Sequence, residues 1–454
     1  MNQTPRNRSL VTLLELGVAA ILILIPFHAT LTVWAGSNFG HYTGIRLWPE
    51  YLLAVLGTAT AIIFFQDHKL RSQILKSWLG LFVIAYILLS LLIGVIARGN
   101  NQVNTKALVY GLVINLRPML FFTVCYIAAK QSKRLHLEWK KLLLIPASIV
   151  VFFGLLQHFF LPANFLSHLG YGPHTITPYE TVDKNSKYIR LQSTLRGPNP
   201  LGAYLVIIIT ALIILFNYVR NINKRVYLLI FSLASLVVLF FSYSRSALVG
   251  VILSLVIGTW FFYMKSPKKW LAAGLVGALI LIGGISYLSL RHNIRFENTF
   301  LHTSTQTHSS VSSNENHESA LKSGIKDIIH QPLGRGVGTA GPASVYNNHP
   351  ARIAEDYYVQ LGQEVGVIGL ALFIAINVVI AKILYDNRKD RLALILLCSL
   401  VGISFVNLLS HAWGDDTLAY IWWGFAGIAA APGILKAREF SHHENAKTKK
   451  EKTF

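Results

Sequence analysis

Apolar residues in this chain run in blocks of about twenty, the length a helix needs to cross about 30 Å of hydrocarbon. About twelve such blocks recur, centred on residues 11–34, 48–65, 78–97, 107–129, 142–161, 200–217, 225–241, 246–263, 270–290, 357–385, 392–410 and 417–435. The pattern predicts an all-α fold: a polytopic membrane protein of about twelve transmembrane helices, forming a single integral membrane domain over residues 1–454. The first block is too long for a signal peptide and lacks a small-residue cleavage site.

Two connections break the rhythm of short links, residues 162–199 and 291–356. Long ordered loops in a compact protein tend to carry function. The first contains Gly170-Tyr-Gly-Pro-His174 and ends in Arg196-Gly-Pro-Asn-Pro200, where Pro200 suits the first turn of the next helix. The second opens on Arg291-His-Asn-Ile-Arg295 and passes through a Ser/Thr/His-rich stretch from His302 to His317. It then predicts a short amphipathic helix over Ser319 to His330, stopped by Pro332 and Gly334-Arg-Gly-Val-Gly338. No internal repeat, direct or inverted, is visible.

Composition agrees with the pattern, since 53% of the 454 residues are hydrophobic and 13% charged. The net charge of +21 changes the picture through its placement. With a cytoplasmic N-terminus, about 25 of the 41 Lys and Arg fall in the inward loops and the two tails. That bias predicts both termini in the cytoplasm, a basic cytoplasmic tail over 436–454 and both long loops outside. Clusters such as Lys130, Lys133, Arg134, Lys140 and Lys141 then act as retention signals and touch anionic membrane lipids. No nucleic-acid module accompanies the charge, so nucleic acid is not an expected partner. The two cysteines, Cys125 and Cys398, fall inside spans and read as small buried apolar residues.

The candidate chemistry is cationic. Arg245 stands in a short outward turn between apolar runs, as an anion binder or as a snorkelling anchor of a helix end. Arg190, Arg196, Arg291 and Arg295 share its side, and converging guanidinium groups match diphosphate geometry. Arg117, beside Pro118 within the fourth span, reads either as a functional intramembrane charge or as a bond to the carbonyl that the proline frees. The Gly334–Gly338 stretch lacks the Lys-Ser/Thr of a P-loop; it reads as a tight turn that aims the next segment and offers backbone N–H groups to an anion. His302 and His308 read as a solvated segment rather than a zinc site, whereas His317 begins the helix that runs to Pro332. His349 and Glu355 precede a segment that turns apolar on entering a span, and each is a candidate general base at the membrane surface.

At these residues the sequence resembles the O-antigen ligase and polymerase superfamily of bacterial membrane glycosyltransferases. The resemblance rests on four elements in order: Arg190 with Pro198-Asn199, Ser244-Arg245-Ser246, Pro332-Leu-Gly-x-Gly-x-Gly338, and Glu355-x-Tyr-Tyr358 with Glu364-x-Gly366 and Gly369-Leu370. They cover about residues 185–435. The resemblance implies transfer of a saccharide from an undecaprenyl-diphosphate carrier to a glycan or lipid acceptor hydroxyl, at the outer face of the plasma membrane. It implies no metal and no nucleotide cofactor. Residue by residue, it implies that Arg245 grips the diphosphate with Arg190 assisting. The family often carries an arginine where this chain has His317, which is thereby a further expected diphosphate contact, with Arg295 supplying the missing charge. Ligases usually have His at the position of Glu355 and Asn at that of Asp356. Glu355 resembles the polymerase and exopolysaccharide branch, and a carboxylate with a raised pKa can serve as the base. The rival reading is a polysaccharide flippase, since about twelve spans also suit transporters; an envelope assembly protein is a third.

Overall fold

The computed structural model describes residues 5–182, 185–263 and 313–431. The span expected at 270–290, Arg291, Arg295, His302, His308 and the basic tail 436–454 lie outside the described residues.

The described chain is built almost wholly of helices. It opens with α1 (Pro5–Leu24) and α2 (His28–Phe39), joined by a single 3-10 turn at Pro26, then the short α3 (Tyr42–Arg46). Next come α4 (Trp48–Gln66), α5 (His68–Leu75), α6 (Trp78–Gly99), α7 (Thr105–Gln131) and α8 (Arg134–Phe159). A two-stranded antiparallel hairpin, β1 (Glu180–Val182) and β2 (Asn185–Arg190), interrupts the loop before α9 (Pro198–Tyr218). Then follow α10 (Ile222–Phe241), α11 (Arg245–Tyr263), α12 (Ser313–His330), α13 (Tyr357–Asp386), α14 (Arg391–Asn407) and α15 (Asp416–Ala429). The expected loop helix is therefore present, and begins six residues earlier than Ser319.

Local chemistry sets the boundaries. Asp67, Ser77, Asn104, Asn221, Asp356, Asp390 and Asp415 each stand just before a helix and accept a hydrogen bond from a backbone N–H of its first turn. These short polar side chains satisfy donors that the helix itself cannot.

Among the described residues nine helices, with α1 and α2 taken together, are long and apolar enough to cross a membrane. A count of twelve is not reached on them. α14 and α15, where two further spans were expected, have only 17 and 14 residues. Polar chemistry sets the break between them: Asn407 Oδ1 accepts the Trp413 N–H at 2.8 Å and Asp415 caps α15, whose expected continuation to 435 runs beyond the described residues. The connection 408–415 is thereby drawn in between the helix ends.

α9 forms the centre, with 78% of its apolar window buried, and packs on α10, α11 and α14; α6 lies at the periphery with 17%. α11 and α14 cross closely at Gly250 and Gly402, where a Cβ on Gly402 would lie 2.1 Å from the Gly250 carbonyl oxygen. α15 lies along α7 in the same way, Gly427 facing the Phe122 carbonyl. Small residues at a helix crossing allow such backbone approach in a membrane.

α13 is broken at Gly366, whose φ of 70° lies in the left-handed region. The loop Pro332–Gly338 fills the break. Val367 N donates to the Pro332 carbonyl at 2.8 Å, and Arg335 N and Gly336 N donate to the carbonyls of Gln363 and Glu364 at 2.9 Å each. Gly338 N donates to Glu364 Oε1 at 2.8 Å, and Asn115 Nδ2 to Oε2 at 2.7 Å. Backbone freed by a helix break within a membrane must find partners in the protein, and here a glycine loop supplies them. The acceptor that this loop meets is the buried Glu364 carboxyl. Glu364→Ala should leave the Gly338 and Asn115 donors unpaired and lower stability by about 3 kcal/mol; an unchanged thermal midpoint of the detergent-solubilised protein would contradict this.

Candidate functional site

On one face of the bundle the connections before α7, α9, α11, α13 and α15 touch one another. Strand β2 ends at Arg190, and Leu191 N donates to the Phe241 carbonyl at 3.0 Å, tying the hairpin to the turn between α10 and α11. Arg190 Nε donates to the Ser242 carbonyl at 3.1 Å, Nη2 to Asn199 Oδ1 at 2.7 Å, and Nη1 lies 3.5 Å from Glu180 Oε2. Arg190 thus sits against the turn whose last residue leads directly into Arg245, the first residue of α11.

That turn is tightly determined. Ser242 and Ser244 are buried, and the Ser242 hydroxyl donates to the Leu239 carbonyl at 2.6 Å. Between them Tyr243 adopts φ 51°, a left-handed conformation that costs a non-glycine residue about 1–2 kcal/mol. Gly202 of α9 lets the turn close down, since a Cβ there would lie 2.7 Å from Ser244 Cβ.

A second group forms at the entrance to α13. Glu355 also has a left-handed backbone, at φ 56°, and its carboxylate pairs with Nδ1 of His317 from α12. The His317 hydrogen bond, against the opposing effect of burial and with help from His411, holds the Glu355 carboxyl below its ordinary range. Asp356 caps α13 through Val359 N at 2.9 Å, and burial pushes its carboxyl up. Asn and Asp are equally good caps, which accounts for Asp at this position. His411, in the connection 408–415, lies within electrostatic reach of Glu355, Arg196 and His317. Burial pushes its imidazole down to about 4, and both ring nitrogens are buried without a protein partner among the described residues. Arg196, six residues after Arg190, reaches towards the second group through His411 and is itself held by Asp415 at 3.2 Å.

Of the residues singled out in the sequence, Arg190 is placed beside the Arg245 turn, and His317 against Glu355. His349 is held elsewhere: its Nε2 lies 3.2 Å from the Asn101 carbonyl, in a knot where Asn104 and Asn347 stitch residues 346–348 to the link between α6 and α7. Arg295 lies outside the described residues. Arg117 is engaged by Glu50, Asp416 and the Gly414 carbonyl rather than by the carbonyl that Pro118 frees. His411 and Asp415 were missed; the only signal was a polar break, Ser410-His-Ala-Trp-Gly-Asp-Asp416, between two apolar runs. An apolar cavity of about 800 Å³ between α4, α6 and α7, lined by Leu53, Gly57, Val83, Leu116 and Leu120, holds neither group. Its walls are mostly hydrocarbon, with Glu50 and Arg117 the charged residues among them.

Residues 230–374 match the family model for O-antigen ligase, Wzy_C. The match supports a place in the O-antigen ligase and polymerase superfamily. The domain takes in Arg245, His317, the Gly334–Gly338 loop, Glu355 and Glu364, while Arg190 and Arg196 precede it. The match supports a glycosyltransferase-like function of the O-antigen ligase and polymerase type in polysaccharide synthesis, and the apolar helices make this an integral membrane protein. No curated protein matches the chain.

Proposed function

We propose that this protein transfers saccharide units from an undecaprenyl-diphosphate carrier to an acceptor hydroxyl of a cell-surface polysaccharide, at the outer face of the bacterial plasma membrane. The observation that carries the reading is the tie between Arg190 and the Ser242–Arg245 turn, on the face that also holds the Glu355–His317 pair. The arginines bind the diphosphate, whose charge grows as the glycosidic bond breaks. Preorganised cations stabilise such charge most where water is scarce. The Glu355–His317 pair accepts the proton of the acceptor hydroxyl, which is a weak nucleophile without a base in reach.

The opposite face supports the orientation. Lys130, Lys133, Arg134, Lys140 and Lys141 lie at the junction of α7 and α8, Arg220, Lys224 and Arg225 at that of α9 and α10, and Arg388, Lys389 and Arg391 between α13 and α14. Short basic connections are typical of the cytoplasmic side, which supports an outward candidate site. Glu355, where ligases usually carry His, favours polymerisation of repeat units over ligation.

The test is analysis of lipid-linked and finished glycans in a strain lacking the protein. Accumulated single repeat units are the expected result for a polymerase; full-length unattached chains would instead identify a ligase. Unaltered lipid-linked glycans would refute the transfer reading.

A further inference from the structure

We infer that His317 is the general base of the transfer step and that Glu355 is its positioning carboxylate. The inference rests on the transfer reading above and adds the division of labour within the pair. Nδ1 of His317 faces Glu355 Oε2. A carboxylate on one imidazole nitrogen fixes the ring and its tautomer, leaving the lone pair on the other nitrogen to take a proton. Both side chains are partly open, at 39% and 43% exposure, so the pair is reachable from the polar face.

Three observations favour this order over the reverse. Glu355 is held by a left-handed backbone, the kind of strain that persists where a side chain must be aimed. Its carboxyl is kept acidic by the His317 hydrogen bond, which makes it a good counter-charge and a poor proton acceptor near neutrality, where imidazole is well matched. The other ionisable groups around the pair are committed or cationic, except His411, whose imidazole is pushed by burial down to about 4 and is a weaker base. Glu318 of α12 is paired with Lys322 at 2.5 Å, Asp327 faces Arg352 at 3.7 Å, Asp356 caps α13, and His411 and Arg196 approach from the connections before α15 and α9.

In the step, the acceptor oxygen forms a bond to the anomeric carbon while its proton passes to Nε2 of His317. The bond from that carbon to the diphosphate oxygen breaks, its electron pair leaving with the lipid diphosphate. The imidazolium then returns its proton to water. His317 is on this account a catalytic residue, and Glu355 acts through it.

The experiment uses the full-length protein in lipid vesicles, with lipid-linked repeat units extracted from the deletion strain as donor, and follows kcat and KM against pH. His317→Asn should lower kcat by about 100-fold or more and abolish the acid limb of the profile. Glu355→Gly, which the left-handed backbone accepts without strain, should lower kcat by about 10-fold to 100-fold at nearly unchanged KM. It should keep the limb but move it to lower pH, because the imidazolium has lost its counter-charge. The reverse result would overturn the inference: a Glu355→Gly protein without activity or limb, beside a His317→Asn protein whose limb has moved to higher pH as the carboxyl is released. A wild-type protein that transfers nothing would remove the transfer reading itself.

Discussion

Arg245→Ala is expected to leave the protein at its normal level in the membrane while abolishing the finished polysaccharide. Arg245 is the first residue of α11, so its charge meets the positive end of the helix dipole. A cation there is unfavourable by about 0.3–1 kcal/mol, which offsets part of what its removal costs the fold. The turn before it keeps its own supports, the Ser242 hydroxyl on the Leu239 carbonyl and the Leu191 N–H on the Phe241 carbonyl. Function is another matter. A guanidinium fork can engage two diphosphate oxygens at once, and loss of one preorganised donor to a developing anion costs about 100-fold to 1,000-fold in rate. Arg245→Lys keeps the charge and loses the fork, and should restore only part of the product. The measurement is complementation of the deletion strain, with membrane protein level and surface polysaccharide read together. Full polysaccharide from the Ala variant would sink the role given to Arg245.

The helices were legible because a block of about twenty apolar residues has few alternatives to a membrane helix. The hairpin was not. β1 has three residues and β2, Asn185-Ser-Lys-Tyr-Ile-Arg190, lacks the alternation of apolar and polar positions that marks a strand. The break in α13 was equally hidden, since Glu364-Val-Gly-Val-Ile-Gly-Leu370 reads as the unbroken start of a span. What decides it is a loop some thirty residues upstream, whose N–H groups Glu364 and its neighbours receive.

The candidate site was legible as a set of residues and not as a set of contacts. Arg190 and Arg245 shared a predicted side, but nothing local signals that β2 ends on the Ser242 carbonyl. His317 and Glu355 were each singled out alone. They are also two of the positions at which the chain departs from the pattern it resembles, His where Arg is frequent and Glu where His is usual, and these two departures touch. That contact in space is what a single sequence does not reveal.

Arg117→Ala should have the opposite signature, a loss of protein rather than a loss of chemistry. The guanidinium is 3% exposed, and pairs with Glu50 of α4 at 2.8 Å, with Asp416 of α15, and with the Gly414 carbonyl at 3.0 Å. His28 Nε2 lies 3.4 Å from the other oxygen of Asp416. One side chain on α7 therefore fastens α4, α15 and the turn before α15. The intramembrane charge that sequence alone left open between function and structure is thus committed to packing. Removing one member of a buried ion cluster leaves its partners uncompensated and costs about 3–5 kcal/mol, a large share of what holds a protein together. Low membrane abundance and a lowered thermal midpoint are the expected results. Glu50→Gln in the Arg117→Ala background should recover part of the loss, because one of the two stranded carboxylates is then neutral. A normal midpoint for Arg117→Ala would show that the cluster does not fasten these helices, and would return Arg117 to the list of residues that serve the chemistry.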